Sequence, residues 1–171
     1  MEELKKYIRN IPDFPKQGIL FRDITPLLNN ASALRRSVEL MIAPFQDKGI
    51  SKVVAVESRG FILGGIIAYL LKAGFIPVRK KGKLPYRTIS AEYDLEYGKD
   101  TLEIHQGALQ EGEKVLIVDD LLATGGTIAA TIELVEQEKA NIVGITFLIE
   151  LRELKGREKL KGYSLHSLIK Y

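Results

Sequence analysis

The sequence predicts an α/β fold, a central and mostly parallel sheet flanked by helices, on three observations. Two β-branched runs, Lys52-Val53-Val54-Ala55-Val56-Glu57 and Lys114-Val115-Leu116-Ile117-Val118, each lead through a glycine-containing turn into a segment of helical spacing and then into another strand. Both runs are nearly continuously apolar instead of alternating, the pattern of strands covered on both faces. Finally, 171 residues with 46% apolar and 27% charged side chains are enough for one globular domain with a single substantial core.

The elements follow in order. The N-terminal MEELKKYIRN has an amphipathic helical look and lacks the apolar region and cleavage site of a secretory signal. Helical spacing over residues 34–45, with Ser32 as N-cap, precedes the first strand. Ser58-Arg59-Gly60 then opens an apolar helix over 61–72 that Gly74 ends, and residues 75–79 form a second strand, completing a right-handed βαβ crossover. Residues 88–95 and 100–105 read as a hairpin around Glu96-Tyr97-Gly98-Lys99, with Gly98 supplying the turn. Strand 114–118, helix 126–138 and strand 141–150 make a second βαβ unit. In such sheets ligands collect at the carboxyl ends of the strands, which marks the loops after Val56 and Val118 as the candidate site.

Composition excludes several classes. No stretch approaches the ~20 apolar residues of a membrane span, and the longest run, over 61–71, is interrupted by Gly64 and Gly65. The absence of cysteine removes disulfides and thiolate metal sites and is compatible with a reducing cytoplasm. A net charge of +3 does not mark a nucleic-acid binder, and no nucleic acid or membrane partner is expected. The charge is nevertheless concentrated: Arg79, Lys80, Lys81, Lys83 and Arg87 share one short stretch suited to a polyanion or to water. His105 and His166 lack ligand-spaced partners, so no zinc site is expected.

The most informative segment is VLIVDDLLATGGT. A buried strand delivers Asp119 and Asp120 into a loop, Ala123-Thr124-Gly125-Gly126-Thr127, after which a helix begins. Small residues let main-chain amides approach an anion, and the helix N-terminus adds its positive dipole end. Threonine hydroxyls add donors, while the aspartates suit ribose hydroxyls or a magnesium ion. The loop lacks the Gly-Lys-Ser/Thr ending of a P-loop, and no G-x-G-x-x-G follows a strand, so neither ATPase nor dinucleotide chemistry is favoured.

These residues resemble the phosphoribosyl pyrophosphate (PRPP) motif of the type I phosphoribosyltransferases, and DDLLATGGT looks like the adenine branch. The resemblance implies the type I fold, with a small N-terminal hood and a flexible hairpin loop. It also implies that Asp119 and Asp120 contact the ribose 2′ and 3′ hydroxyls and that Ala123, Thr124, Gly125, Gly126 and Thr127 hold the 5′-phosphate. Pro12-Asp13-Phe14-Pro15-Lys16-Gln17-Gly18-Ile19-Leu20-Phe21-Arg22-Asp23-Ile24 is similar to the adenine enzymes' base-recognition segment, pointing to Leu20, Phe21 and Arg22. Glu57-Ser58-Arg59-Gly60-Phe61 resembles the pyrophosphate loop, giving Ser58, Arg59 and Gly60 to the diphosphate, with Arg59 catalytic by its charge. The stretch 79–86 resembles the catalytic lid, which adds Arg79, Lys80 and Lys83, and in related enzymes a lid cation often reaches the neighbouring subunit, implying a homodimer. LEYGK-x-x-LEI, at 95–104, carries the glutamate that the resemblance associates with protonating the purine, assigned to Glu103.

The implied reaction joins adenine to PRPP, giving AMP and pyrophosphate in purine salvage, with Mg2+ held mainly by substrate and reached by Asp119 or Asp120 through water. Two rivals stand beside it. One is a phosphoribosyltransferase for guanine, hypoxanthine or xanthine. The other is a PRPP-sensing regulator, which normally needs a DNA-binding extension for which these residues leave no room.

Overall fold

The computed structural model describes residues 2–94 and 98–171. In chain order the elements are α1 (Glu2–Lys5), β1 (Arg9–Pro12), β2 (Leu20–Asp23), α2 (Thr25–Asn29), α3 (Ala31–Ile42), β3 (Lys52–Val56), α4 (Arg59–Leu71), β4 (Gly74–Lys80), β5 (Thr88–Asp94), β6 (Lys99–His105), β7 (Lys114–Leu122), α5 (Gly126–Gln137), β8 (Asn141–Glu150) and β9 (Leu165–Lys170). The main sheet has seven strands in the order β5-β6-β4-β3-β7-β8-β9, while β1 and β2 form a separate antiparallel pair, the hood. Strand β3 is parallel to β4 and β7, and β7 to β8, as the two βαβ units require. The expected hairpin forms as antiparallel β5 and β6, hung from β4 through Arg79 and Lys80. Leu95, the expected end of its first strand, and Glu96 and Tyr97 of its expected turn lie outside the described residues.

Alternation along the central strands divides the core in two. Val53 and Ala55 of β3, with Leu116 and Val118 of β7, face a cluster made with α3 and α4. Val54, Val56, Val115 and Ile117 face the opposite cluster, built with α5 and the hairpin. Each fully buried aliphatic side chain contributes about 1.5–3 kcal/mol, so both faces are secured independently.

Local chemistry moves several boundaries away from the sequence expectation. Asn30, not Ser32, caps α3, its side-chain oxygen accepting from Ala33 N at 2.9 Å. The helix gives way to a 3-10 turn over Ala43–Phe45, where Pro44 supplies no amide. Helix α4 begins at Arg59 and ends on Lys72, which takes the left-handed conformation (φ 53), while Gly74 opens β4. Gly64 lies so close to the sheet that a Cβ there would meet Ala55 Cβ at 2.5 Å, which seats α4 on β3 and brings Arg59 to the carboxyl end of that strand. Strand β7 runs on to Leu122, pairing with Ile149 and Glu150, so Asp119 and Asp120 belong to the strand and not to the loop.

Candidate active site

The carboxyl ends of β3 and β7 face one cavity of about 540 Å³, lined among others by Ser58, Arg59, Lys80, Asp119, Asp120 and Thr127. Beside it lies a second cavity of about 770 Å³, between the hood residues Leu20 and Arg22 and the segment after β8, Leu151, Glu153 and Leu154. The loop 123–127 stands between the two: Ala123 and Thr127 line the first, Thr124 the second.

The loop's shape follows from close backbone approach. Gly125 has φ +80 and caps α5, and a Cβ on it would sit 2.6 Å from Gly156 O. A Cβ on Gly156 would in turn run into Ala123 O. Two main chains thus touch where only glycine fits, and the first-turn amides of α5, which have no acceptor within the helix, are left to serve an anion. Gly60, at the start of α4, is equally constrained, since its Cβ would meet Asp119 Oδ1 at 2.8 Å.

Both aspartates are buried, at 8% and 7% exposure, which makes their charge state the central electrostatic question. Burial, reinforced by the neighbouring Asp120, holds Asp119 well above the usual carboxylate range. Burial also raises Asp120, but the Arg59 guanidinium, with Nε 2.8 Å from its Oδ2, pulls it back. The proton therefore favours Asp119, whose Oδ1 accepts from Asp120 N at 2.9 Å, and the ionic partner of Arg59 is Asp120. Arg59 also lies over the Phe21 ring at 5.1 Å, tying the acid pair to the hood, and Phe21 meets Phe14 edge-on at 5.1 Å.

The basic lid is held by carboxylates. Glu57 accepts from Lys80 N at 2.6 Å, from Lys83 Nζ at 3.1 Å and from Arg79 at 3.2 Å. Burial works to raise the Glu57 pKa, but these bonds outweigh it and hold the carboxyl below its ordinary value. Lys80 reaches the cavity with its ammonium 2.9 Å from Asp100, whereas Arg79 and Lys83 are turned to Glu57. Glu103 is not brought to either cavity among the described residues. Its carboxylate is buried and accepts from Gly82 N at 2.9 Å, because the Arg79–Glu103 register points it at the lid's backbone.

Sequence reasoning missed the floor formed by Leu151, Glu153 and Leu154, together with Tyr93, whose hydroxyl donates to Asp100 at 3.2 Å beside the first cavity. The signal was available for Leu151, which directly follows a third parallel strand at its carboxyl end. That floor is pinned by Arg157, which makes bidentate bonds of 2.6 and 2.9 Å to Glu150 and a third, of 3.1 Å, to Ser167. Burial tends to raise the Glu150 pKa, but Arg157 and Ser167 hold it below the ordinary 4.5. A depressed carboxylate contributes stability above its unfolded value and loses it as pH falls through the folded one. The stability difference between wild type and Glu150→Gln should accordingly be largest near neutrality and shrink below about pH 4.5, read from urea midpoints across a pH series.

The donor set bears on magnesium. No group of three or more His, Asp or Glu side chains that could hold a metal occurs among the described residues. The paired aspartates fit only an ion that brings most of its oxygen ligands with it, as Mg2+ on a diphosphate does.

Residues 26–169 match the family model described as phosphoribosyl transferase domain. The chain is 56% identical over 169 residues to the adenine phosphoribosyltransferase of Brachyspira hyodysenteriae, covering 99% of each. The crystal structure of adenine phosphoribosyltransferase from Rhodothermus marinus superposes with a TM-score of 0.96 at 53% identity, over 99% of this chain and 97% of that one. The Saccharomyces cerevisiae adenine phosphoribosyltransferase, in complex with an imino-altritol bisphosphate and adenine, does so at 0.92 and 42%, over 98% and 97%. A glycine-built helix N-terminus beneath an acid pair, with a separate cleft beside it, is thus set in a chain that matches these enzymes almost end to end, and the chain belongs to the adenine phosphoribosyltransferase family of the phosphoribosyltransferases.

Proposed function

We propose that the chain transfers the 5-phosphoribosyl group of PRPP to N9 of adenine, giving AMP and pyrophosphate, with the two cavities as its substrate sites. One observation carries the reading: an anion cradle and an apolar cleft meet at the single loop 123–127, so a sugar phosphate and a flat base approach each other across it. The 5′-phosphate rests on the amides of Ala123, Thr124, Gly125, Gly126 and Thr127 at the head of α5. Asp119 and Asp120 take the ribose hydroxyls, and Ser58, Arg59, Gly60 and Lys80 face the diphosphate. Adenine occupies the cleft between Leu20, Phe21 and Arg22 of the hood and Leu151 of the floor, where an apolar face and directed main-chain groups suit a purine.

Catalysis comes from positioning C1 against N9 and from cations at the departing pyrophosphate, with inversion at C1. Bound with the substrate, Mg2+ would neutralise diphosphate charge, and Asp119 or Asp120 would be the residues to help hold it. Arg79 and Lys83 are exchanged from Glu57 to the pyrophosphate as the lid closes. The proton-sharing role of Glu103 is tested by substitution. Glu103→Gln retains an acceptor for Gly82 and is expected to keep turnover within about two-fold, while Glu103→Ala frees the lid and raises the KM for PRPP several-fold. A collapse of kcat in the Gln variant, with both KM values intact, would instead assign the proton to Glu103.

A homodimer is supported by the exposed apolar side chains Ile62, Tyr69 and Leu70 of α4 and Phe75 of β4, at 36–82% exposure. Sedimentation of the purified chain tests it. No described helix is long and apolar enough to cross a membrane, and the lack of cysteine suits a cytoplasmic enzyme. The activity is tested by offering PRPP with each purine in turn. AMP from adenine alone is expected, turnover with another purine in its place would move the chain to a different base, and duplex DNA binding without turnover would favour a regulator.

A further inference from the structure

We infer that Tyr171 is a positioning residue for the base cleft, its ring holding the hood over the floor on which adenine rests. The hood is a two-stranded sheet that pairs with no strand of the main sheet, and an isolated hairpin is marginal in water. Its placement therefore depends on side chains that reach the body of the protein. Arg22 is such a link: its guanidinium donates to Asn10 Oδ1 at 2.5 Å, joining β2 to β1, and lies 3.8 Å from the centre of the Tyr171 ring. The same guanidinium group belongs to a residue that lines the base cleft.

Tyr171 is in turn fixed to the opposite wall of that cleft by its main chain. Its amide donates to Glu150 O at 3.0 Å, and its carbonyl oxygen accepts from Arg152 N at 2.9 Å, on either side of Leu151. Its ring packs on the core cluster and also receives Lys5 of α1, Nζ 5.4 Å from the centroid. One residue thus touches both walls, and the gap between Leu20 and Leu151 is set by the thickness of the Arg22–Tyr171 stack. Arg59 of the diphosphate cavity meets the hood through the Phe21 ring and not through Arg22 or Tyr171, so loosening the stack acts first on the base.

The inference rests on the reading of this cleft as the adenine site. In the full chain, Tyr171→Ala is expected to raise the KM for adenine about ten-fold while KM for PRPP and kcat stay within about two-fold, and Tyr171→Phe, which keeps the ring face, to restore the wild-type value. Tyr171→Leu, which keeps apolar packing on the core cluster but loses the ring face, should show the same adenine-selective loss, providing a second route if Tyr171→Ala folds poorly. Leu151→Trp fills the cleft from the floor and serves as control. If it leaves the adenine KM unchanged, the cleft is not the base site and the inference falls with that reading. If it raises that KM while Tyr171→Ala does not, or raises both KM values alike, only the role of Tyr171 is overturned.

Discussion

Gly125→Ala is expected to lower kcat/KM for PRPP by about two to three orders of magnitude, since displacing a reacting group by about 1 Å already costs on the order of 100-fold. The added methyl would sit 2.6 Å from Gly156 O, and φ +80 is itself unfavourable for alanine. Neither backbone has room to yield. Gly156 lies against Ala123 of the same loop and is held by its neighbour Arg157, whose bidentate bonds to Glu150 anchor it to the sheet. The cradle must therefore shift toward the phosphate. Gly156→Ala is expected to do the same from behind although it never faces the cavity. Steady-state kinetics with PRPP varied, alongside a melting curve, checks both. A Gly125→Ala enzyme with wild-type KM and kcat would show that the amides of this loop do not hold the phosphate.

Asp120→Asn is expected to be the second largest loss, about 100-fold in kcat/KM for PRPP, from removal of a buried charge that Arg59 faces at 2.8 Å. Without it Arg59 faces a buried neutral amide, the aim of the guanidinium is lost although its contact with Phe21 remains, and the proposed ribose contact is weakened. Asp119→Asn is expected to cost less, because burial and the adjacent Asp120 already favour the protonated form of Asp119, which an amide imitates. The two single variants assayed side by side give the comparison. Equal losses would mean that the carboxylates are ionised together in the working enzyme and that their order of protonation has no bearing on binding.

The parts of this molecule legible from sequence are those where local pattern and tertiary role agree. The runs 53–56 and 115–118 are apolar on both faces and become the sheet's centre, and the Thr-Gly-Gly turn announces a close backbone approach because few other residues allow one. Charged pairs seldom sit in buried strands, so sequence pattern assigns Asp119 and Asp120 to a loop, whereas here the β7–β8 ladder carries the strand four residues beyond Val118. Strand β9 was missed because Leu165-His166-Ser167-Leu168 mixes polar and apolar residues without strict alternation. Its buried Ser167 makes sense only beside Arg157, which lies ten residues earlier in the chain. The lid's carboxylate partners were likewise invisible: Glu57, Asp100 and Glu103 meet residues 79–83 across separations of twenty residues or more.

On the proposed reading, the five-residue stretch that separates the clefts is a shared partition between two substrates, with Thr124 on one face and Ala123 with Thr127 on the other. A ligand that stiffens a common wall changes what the second ligand must still immobilise. Thermodynamic linkage requires the effect to be mutual, by the same factor in both directions. In this architecture the nucleotide product, which braces both faces at once, gains from a rigidity that neither substrate obtains alone.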